Sequence, residues 1–146
     1  MLKVFIDCDV ILDLFTKRKK FYLAAGEVFT LIDLGKIKGY TSPLVFSNIH
    51  YLCQKYKNKN FANNCIKKLE SFLSILDINK KIVNLAITSD FTDFEDSLQY
   101  YTALEGNMNY IITRNIKDYK KKELPAITPL DFKNLFIAST TKDVIG

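Results

Sequence analysis

Carboxylates carry most of the chemistry this chain can offer. It has one histidine and three cysteines, Cys8, Cys53 and Cys65, with no CxxC pair. Imidazole-based triads, a zinc site and a disulfide framework therefore lack their residues. Aspartates, by contrast, recur beside apolar runs. Asp7 and Asp9 follow the run at 2–6, Asp93 and Asp96 precede a helical apolar pattern, and Asp118 lies five residues beyond Thr113. Ordinary structural roles exist for several of them: Asp93 as a helix N-cap, Asp96 in the favourable first turn, Asp118 in a loop. Asp7 is different, because a carboxylate flush against a buried strand carries a desolvation cost unless a cation compensates it. With no histidine nearby and no lysine inside the motif, a divalent cation is the natural candidate. Hard oxygen ligands suit Mg²⁺ or Mn²⁺, ions that usually work on phosphate substrates. The chemistry narrows to phosphoryl or phosphodiester reactions. The glycines at 26, 35, 39, 106 and 146 make neither GxGxxG nor GxxxxGK[ST], so dinucleotide binding and P-loop hydrolysis lose their main support.

These residues need elements to hold them. The run at 2–6 reads as a short buried strand ending at Asp7. Apolar positions from Phe21 to Leu34 recur at helical spacing until Gly35, a helix stop. Residues 37–41 read as a second strand, after which Ser42-Pro43 caps a helix running toward Tyr56. A further helix is expected through Phe61, Ile66, Leu69 and Phe72, then a brief strand at 75–78. Asn79 caps a helix through Ile87, and residues 93–96 open another that closes near Gly106. Residues 110–113 read as a buried strand, and Thr128-Pro129 starts a last short helix through Phe136. Such alternation predicts an α/β fold with a mostly parallel central sheet and helices on both faces, a three-layer αβα arrangement. Residues 1–136 form one domain in this reading, and 137–146 a loose tail. In an open parallel sheet, ligands gather beyond the carboxyl ends of the strands, where the aspartates fall.

The 146 residues, 48% hydrophobic and 25% charged, suit one domain with a real core. Lysine plus arginine number 21 against 16 acidic residues, a net +5 that favours an anionic partner. The chain offers no membrane span, and Asp7 comes too early for a signal-peptide apolar region. A cytoplasmic location is the expectation. Arg18, Lys19 and Lys20, the lysines at 55, 57 and 59, and Lys120 to Lys122 could attract an RNA backbone, or simply solubilise the surface. Most of the eleven phenylalanines and eight tyrosines must be core, although Tyr40, Tyr51, Tyr100, Tyr101 or Tyr119 could serve a dimer or base-stacking surface. His50 reads as a helix-surface residue.

Three segments in order, VFIDCDVILD at 4–13, DFEDSL at 93–98 and IITRNIKDY at 111–119, closed by Thr128-Pro129 and Phe132, closely resemble a PIN domain. The resemblance runs from residue 2 to about 136 and is nearest the group with DFED and TRNIKD signatures. It implies an α/β nuclease in which acids from distant parts of the chain hold Mg²⁺ or Mn²⁺ and a metal-activated water cleaves single-stranded RNA. It also implies kinship with VapC-like toxins, hence an antitoxin partner and a homodimer. Carried over by position, Asp7, Asp96 and Asp118 match the first, third and fourth metal-binding acids. Asp9 stands where the family often has asparagine, with Asp93 a further secondary candidate. The second acid is expected as a glutamate within residues 42–49, where this chain has Asn48. Thr113 and Asn115 match auxiliary polar residues, and Arg114 and Lys117 join Arg18, Lys19 and Lys20 as candidate RNA contacts. An alternative is a PIN domain that cleaves weakly or not at all and binds RNA or protein. The Asp7-Cys8-Asp9 opening also suggests a haloacid-dehalogenase-type phosphatase, but Val10-Ile11 follows where Gly-Thr would be wanted.

Overall fold

A computed structural model describes residues 1–121 and 123–145. Among them, five strands form one all-parallel sheet: β1 (Lys3–Ile6), β2 (Lys38–Thr41), β3 (Ser74–Ile75), β4 (Tyr110–Ile112) and β5 (Ala126–Ile127), in the order β3-β2-β1-β4-β5. The chain winds outward from β1 through β2 to β3, then returns to place β4 on the other side of β1. The junction between β1 and β4 is thus the point where strand order reverses, the place where open parallel sheets leave a crevice. Its register is tight: Ile6 pairs with Ile112, and the Asp7 amide donates to the Ile112 carbonyl at 3.0 Å. Val4, Phe5, Ile6, Ile111 and Ile112 are wholly buried, as expected of strands covered on both faces.

Seven helices flank the sheet: α1 (Cys8–Phe15), α2 (Tyr22–Asp33), α3 (Pro43–Tyr56), α4 (Lys59–Phe72), α5 (Lys80–Ile87), α6 (Phe94–Glu105) and α7 (Pro129–Ile145). Helix α1 packs on α2 and α3, α3 on α4, and α2 on α7, while α5 packs on α6. The chain runs one way across the sheet through α1–α4 and back through α5 and α6, so the right-handed rule for parallel crossovers sets the α5–α6 pair on the opposite face. The caps are those expected from sequence. Ser42, Asn79 and Asp93 each accept a hydrogen bond from the third residue of their helix, Val45, Ile82 and Asp96, and Pro43 occupies the first turn of α3. Gly39 on β2 permits close layering, since a Cβ there would meet Ile32 and Leu73 side-chain atoms at 2.6 Å.

Several expectations are corrected. No helix was expected directly after the first strand, yet α1 starts at Cys8 because the Asp7 side chain accepts from the Cys8 amide and caps it. The strand expected at 75–78 reduces to Ser74–Ile75. The short strand β5 was not anticipated; two residues are too few for a periodic signal. Beyond Phe136, where a loose tail was expected, α7 continues to Ile145. No proline or glycine interrupts 130–145, and Thr140 and Thr141 return their hydroxyls to the Phe136 and Ile137 carbonyls. Residues 137–141 are nonetheless exposed, so local helix propagation rather than burial orders them. Lys122 and Gly146 lie outside the described residues. No described helix is long and apolar enough to cross a membrane.

Candidate active site

Asp7 sits at the carboxyl end of β1, in the crevice between β1 and β4. Its Oδ1 accepts from the Cys8 amide at 2.8 Å, and its Oδ2 accepts from the Thr113 hydroxyl at 2.9 Å and the Tyr119 hydroxyl at 3.1 Å. Burial and the neighbouring Asp9 charge still push its pKa up to about 6, against the downward pull of those three donors. Tyr119, expected among possible surface aromatics, is buried with its hydroxyl turned onto Asp7. Only three-dimensional placement reveals it as a site residue, because its neighbour in space is 112 positions away. Tyr100 is likewise core rather than surface, packed against Phe91 and Tyr101.

Asp96 enters from α6. Its pKa is pushed up to about 7, first by burial and then by the charges of Asp93, Asp118, Asp7 and Glu95. A carboxyl among carboxylates, with no lysine or arginine partner among the described residues, carries a charge that a cation would offset. Asp118 closes the short 3-10 turn Ile116–Asp118 and is exposed at the rim. Asp93, Asp96 and Asp118 line a cleft of about 680 Å³ whose wall also carries Lys117, Lys120 and Lys121. Lys121 pairs with Asp90 at 2.8 Å and lies over the Phe91 ring.

The donor set fits Mg²⁺ or Mn²⁺ in kind, being all oxygen and short of positive charge. It is not gathered in advance. Among the described residues, no three His, Cys, Asp or Glu side chains stand close enough to hold one ion. Asp7, Asp96 and Asp118 share one end of the sheet, the charges of Asp118 and Asp7 both act on Asp96, and an ion would have to draw the three together.

The remaining expected site residues divide. Asn48, on α3, does face this end of the molecule, and its Nδ2 donates to Glu95 Oε1. Glu95 itself was missed by sequence reasoning; its only signal was its place inside DFED. Asp93 works as a cap, accepting from the Asp96 amide at 2.9 Å. Asp9 is fully engaged. Its Oδ1 accepts from the Val10 amide at 2.7 Å, and its Oδ2 accepts from the Arg114 amide at 2.9 Å, with the Thr113 hydroxyl at 3.3 Å. Asn115 is exposed, and its amide donates to Thr113 Oγ1. Arg114 is turned inward: Nε and Nη2 reach the two carboxylate oxygens of the buried Asp13 at 2.5 and 3.2 Å. Its guanidinium also stacks over Phe21 at 4.1 Å, so it is not presented to an RNA. Arg18 and Lys20 lie against that same ring, and Lys19 is exposed beside them. Of the candidate RNA contacts, Lys117, Lys120 and Lys121 lie on the cleft. His50 bonds Asn63 at 2.8 Å and ties α3 to α4.

The chain is similar to several known proteins. Ribonuclease VapC1 of Aquifex aeolicus (strain VF5) is 27% identical over 135 residues, spanning 89% of this chain and 92% of that protein. Among solved structures, VapBC2 from Rickettsia felis bound to a promoter DNA fragment superposes with a TM-score of 0.69 at 18% identity, over 87% of this chain and 98% of that one. The Mycobacterium tuberculosis VapC20, a sarcin-ricin-loop-cleaving toxin, gives 0.64 at 12% identity, over 83% and 98%. These likenesses fix the fold. The sequence model of the PIN domain matches residues 3–117, well over half the chain, which sets aside the phosphatase reading: the chain belongs to the PIN domain family.

Proposed function

We propose that this PIN domain is a Mg²⁺- or Mn²⁺-dependent endoribonuclease acting on single-stranded RNA, and the toxin of a toxin–antitoxin pair. The observation that carries the reading is the pair Asp7 and Asp96 beside the strand-order reversal, raised to about 6 and 7 by burial and by neighbouring carboxylates, Asp9 for Asp7 and Asp93, Asp118 and Asp7 for Asp96. The ribonuclease name of the Aquifex relative and the toxin–antitoxin names of the structural neighbours support it. Asp7, Asp96 and Asp118 would hold the ion. When bound, a divalent cation offsets their charge, polarises the phosphodiester and makes water a better nucleophile. Cys8, Thr113 and Tyr119 fix the orientation of Asp7 through its three hydrogen bonds. Lys117 and Lys120 on the cleft wall would draw in the phosphate backbone, and Asp118 at the rim would orient the attacking water. The domain at 1–136, a homodimeric state and a cytoplasmic location belong to the same proposal.

The test is cleavage of single-stranded RNA with Mn²⁺ or Mg²⁺ by wild type and Asp7→Asn, both freed of contaminating ribonuclease. Cleavage that chelation stops and Asp7→Asn lacks is expected. Equal cleavage by both proteins would sink the assignment. A second reading, a PIN domain that binds without cutting, is favoured by the amide at position 48; RNA retention with no metal-dependent cleavage would select it.

A further inference from the structure

At position 48, where the resemblance places an acid, an amide meets one in space. Asn48 donates its amide to Glu95 Oε1 across the contact between α3 and α6. A buried bond one turn further along α6, from Ser42 Oγ to Gln99 Oε1 at 2.7 Å, holds the two helices in that relation. Glu95 and Gln99 are four residues apart and share one face of α6, so the buried pair sets where the exposed pair meets. Glu95 also neighbours the other acids. Its charge acts on Asp96, the next residue, and on the thiol of Cys8, the residue after Asp7. The other nearby acids have structural employment: Asp93 caps α6, Asp9 is held by Arg114 and Val10, and Asp13 is neutralised by Arg114. The Glu95 Oε2 has no protein donor among the described residues.

We propose that Glu95 supplies the metal-site carboxylate that position 48 lacks, and that Asn48 is the residue that positions it. The amide explains why the exchange works. A carboxylate at 48 would repel Glu95, whereas an amide N–H binds it and leaves its second oxygen for a cation. The inference rests on the metal-dependent reading above, since it names a further ligand of that same site.

Mn²⁺ alone, titrated calorimetrically into the full chain, provides a test that needs no turnover. Glu95→Gln should bind Mn²⁺ more weakly, on the order of tenfold or more, and show a smaller Mn²⁺-induced rise in Tm. Its metal-free Tm should be no lower than wild type, because a like charge beside Asp96 is gone. Glu70→Gln, an exposed change on α4, controls for net charge and should bind as wild type. The decisive variant is the exchange Asn48→Glu with Glu95→Gln, which should recover most of the lost affinity. Wild-type affinity in Glu95→Gln, or no recovery in the exchange, would overturn the inference. If Asp7→Asn abolishes Mn²⁺ binding while Glu95→Gln keeps it, this inference alone fails. A wild type that binds no Mn²⁺ removes the nuclease reading as well.

Discussion

Asp7 and Asp96 store unfavourable charge in the folded protein, and this makes the stability of the metal-free chain pH-dependent in a defined direction. Both carboxyls begin near 3.8 in the unfolded chain and rise to about 6 and 7 on folding. Between those limits the folded state binds protons that the unfolded chain has released, so stability falls as pH rises. The loss starts near pH 4 and is complete above about 7. Metal-free Tm should drop by about a few degrees between pH 4.5 and 7.5. Asp7→Asn and Asp96→Asn should each flatten that slope, and saturating Mn²⁺ should raise Tm most at the upper end, where the ligands are ionised. Thermal melts across this range check it; a slope unchanged in both variants would show that neither carboxyl is strained.

Between elements, the link that places the site is the clasp of β4 onto α1. Arg114 follows β4, donates its backbone amide to Asp9, and sends its side chain to Asp13, one turn further along α1. Asp13 has a side chain only 2% exposed, and Arg114 23%. Removing one partner of such a pair strands the other: Arg114→Gln should cost about 3 kcal/mol in urea unfolding. Replacing both by apolar residues of similar size, Asp13→Leu with Arg114→Met, should recover much of it, because the desolvation penalty goes with the pair. If the double variant is as unstable as the sum of the single ones, the clasp is not an isolated pair, and Arg18, 4.0 Å from Asp13, shares the load. Segment 114–118 carries Asp118, so loosening the clasp should also lower activity.

At the scale of the whole molecule, the exposed stretch 137–141 of α7 contributes little to the core. Residues 137–141 are exposed, whereas Phe132 is wholly buried against Tyr110 on β4. A chain ending at Phe136 should keep its Tm within about a few degrees, while one ending before Phe132 should unfold, since losing a buried phenylalanine alone costs about 3–5 kcal/mol. Circular dichroism melts distinguish these outcomes. Equal loss in both truncations would mean that 137–145 belong to the domain.

What the sequence by itself determined is what short range decides. A cap is an interaction over three residues, so Ser42, Asn79 and Asp93 could be recognised from their own neighbourhoods. Short apolar runs, the first broken only by Lys3, mark β1 and β4 as buried, and their alternation with helices already implied a parallel sheet with acids at its carboxyl end. The tertiary structure alone decided which groups meet. Tyr119 on Asp7, Arg114 on Asp13, and Asn48 on Glu95 join residues 112, 101 and 47 positions apart. Those meetings depend on the reversal that puts β4 beside β1 and on the buried Ser42–Gln99 bond that sets α3 against α6. No periodicity within one segment records such distances, because they arise from the packing of layers rather than from the local preferences of the chain.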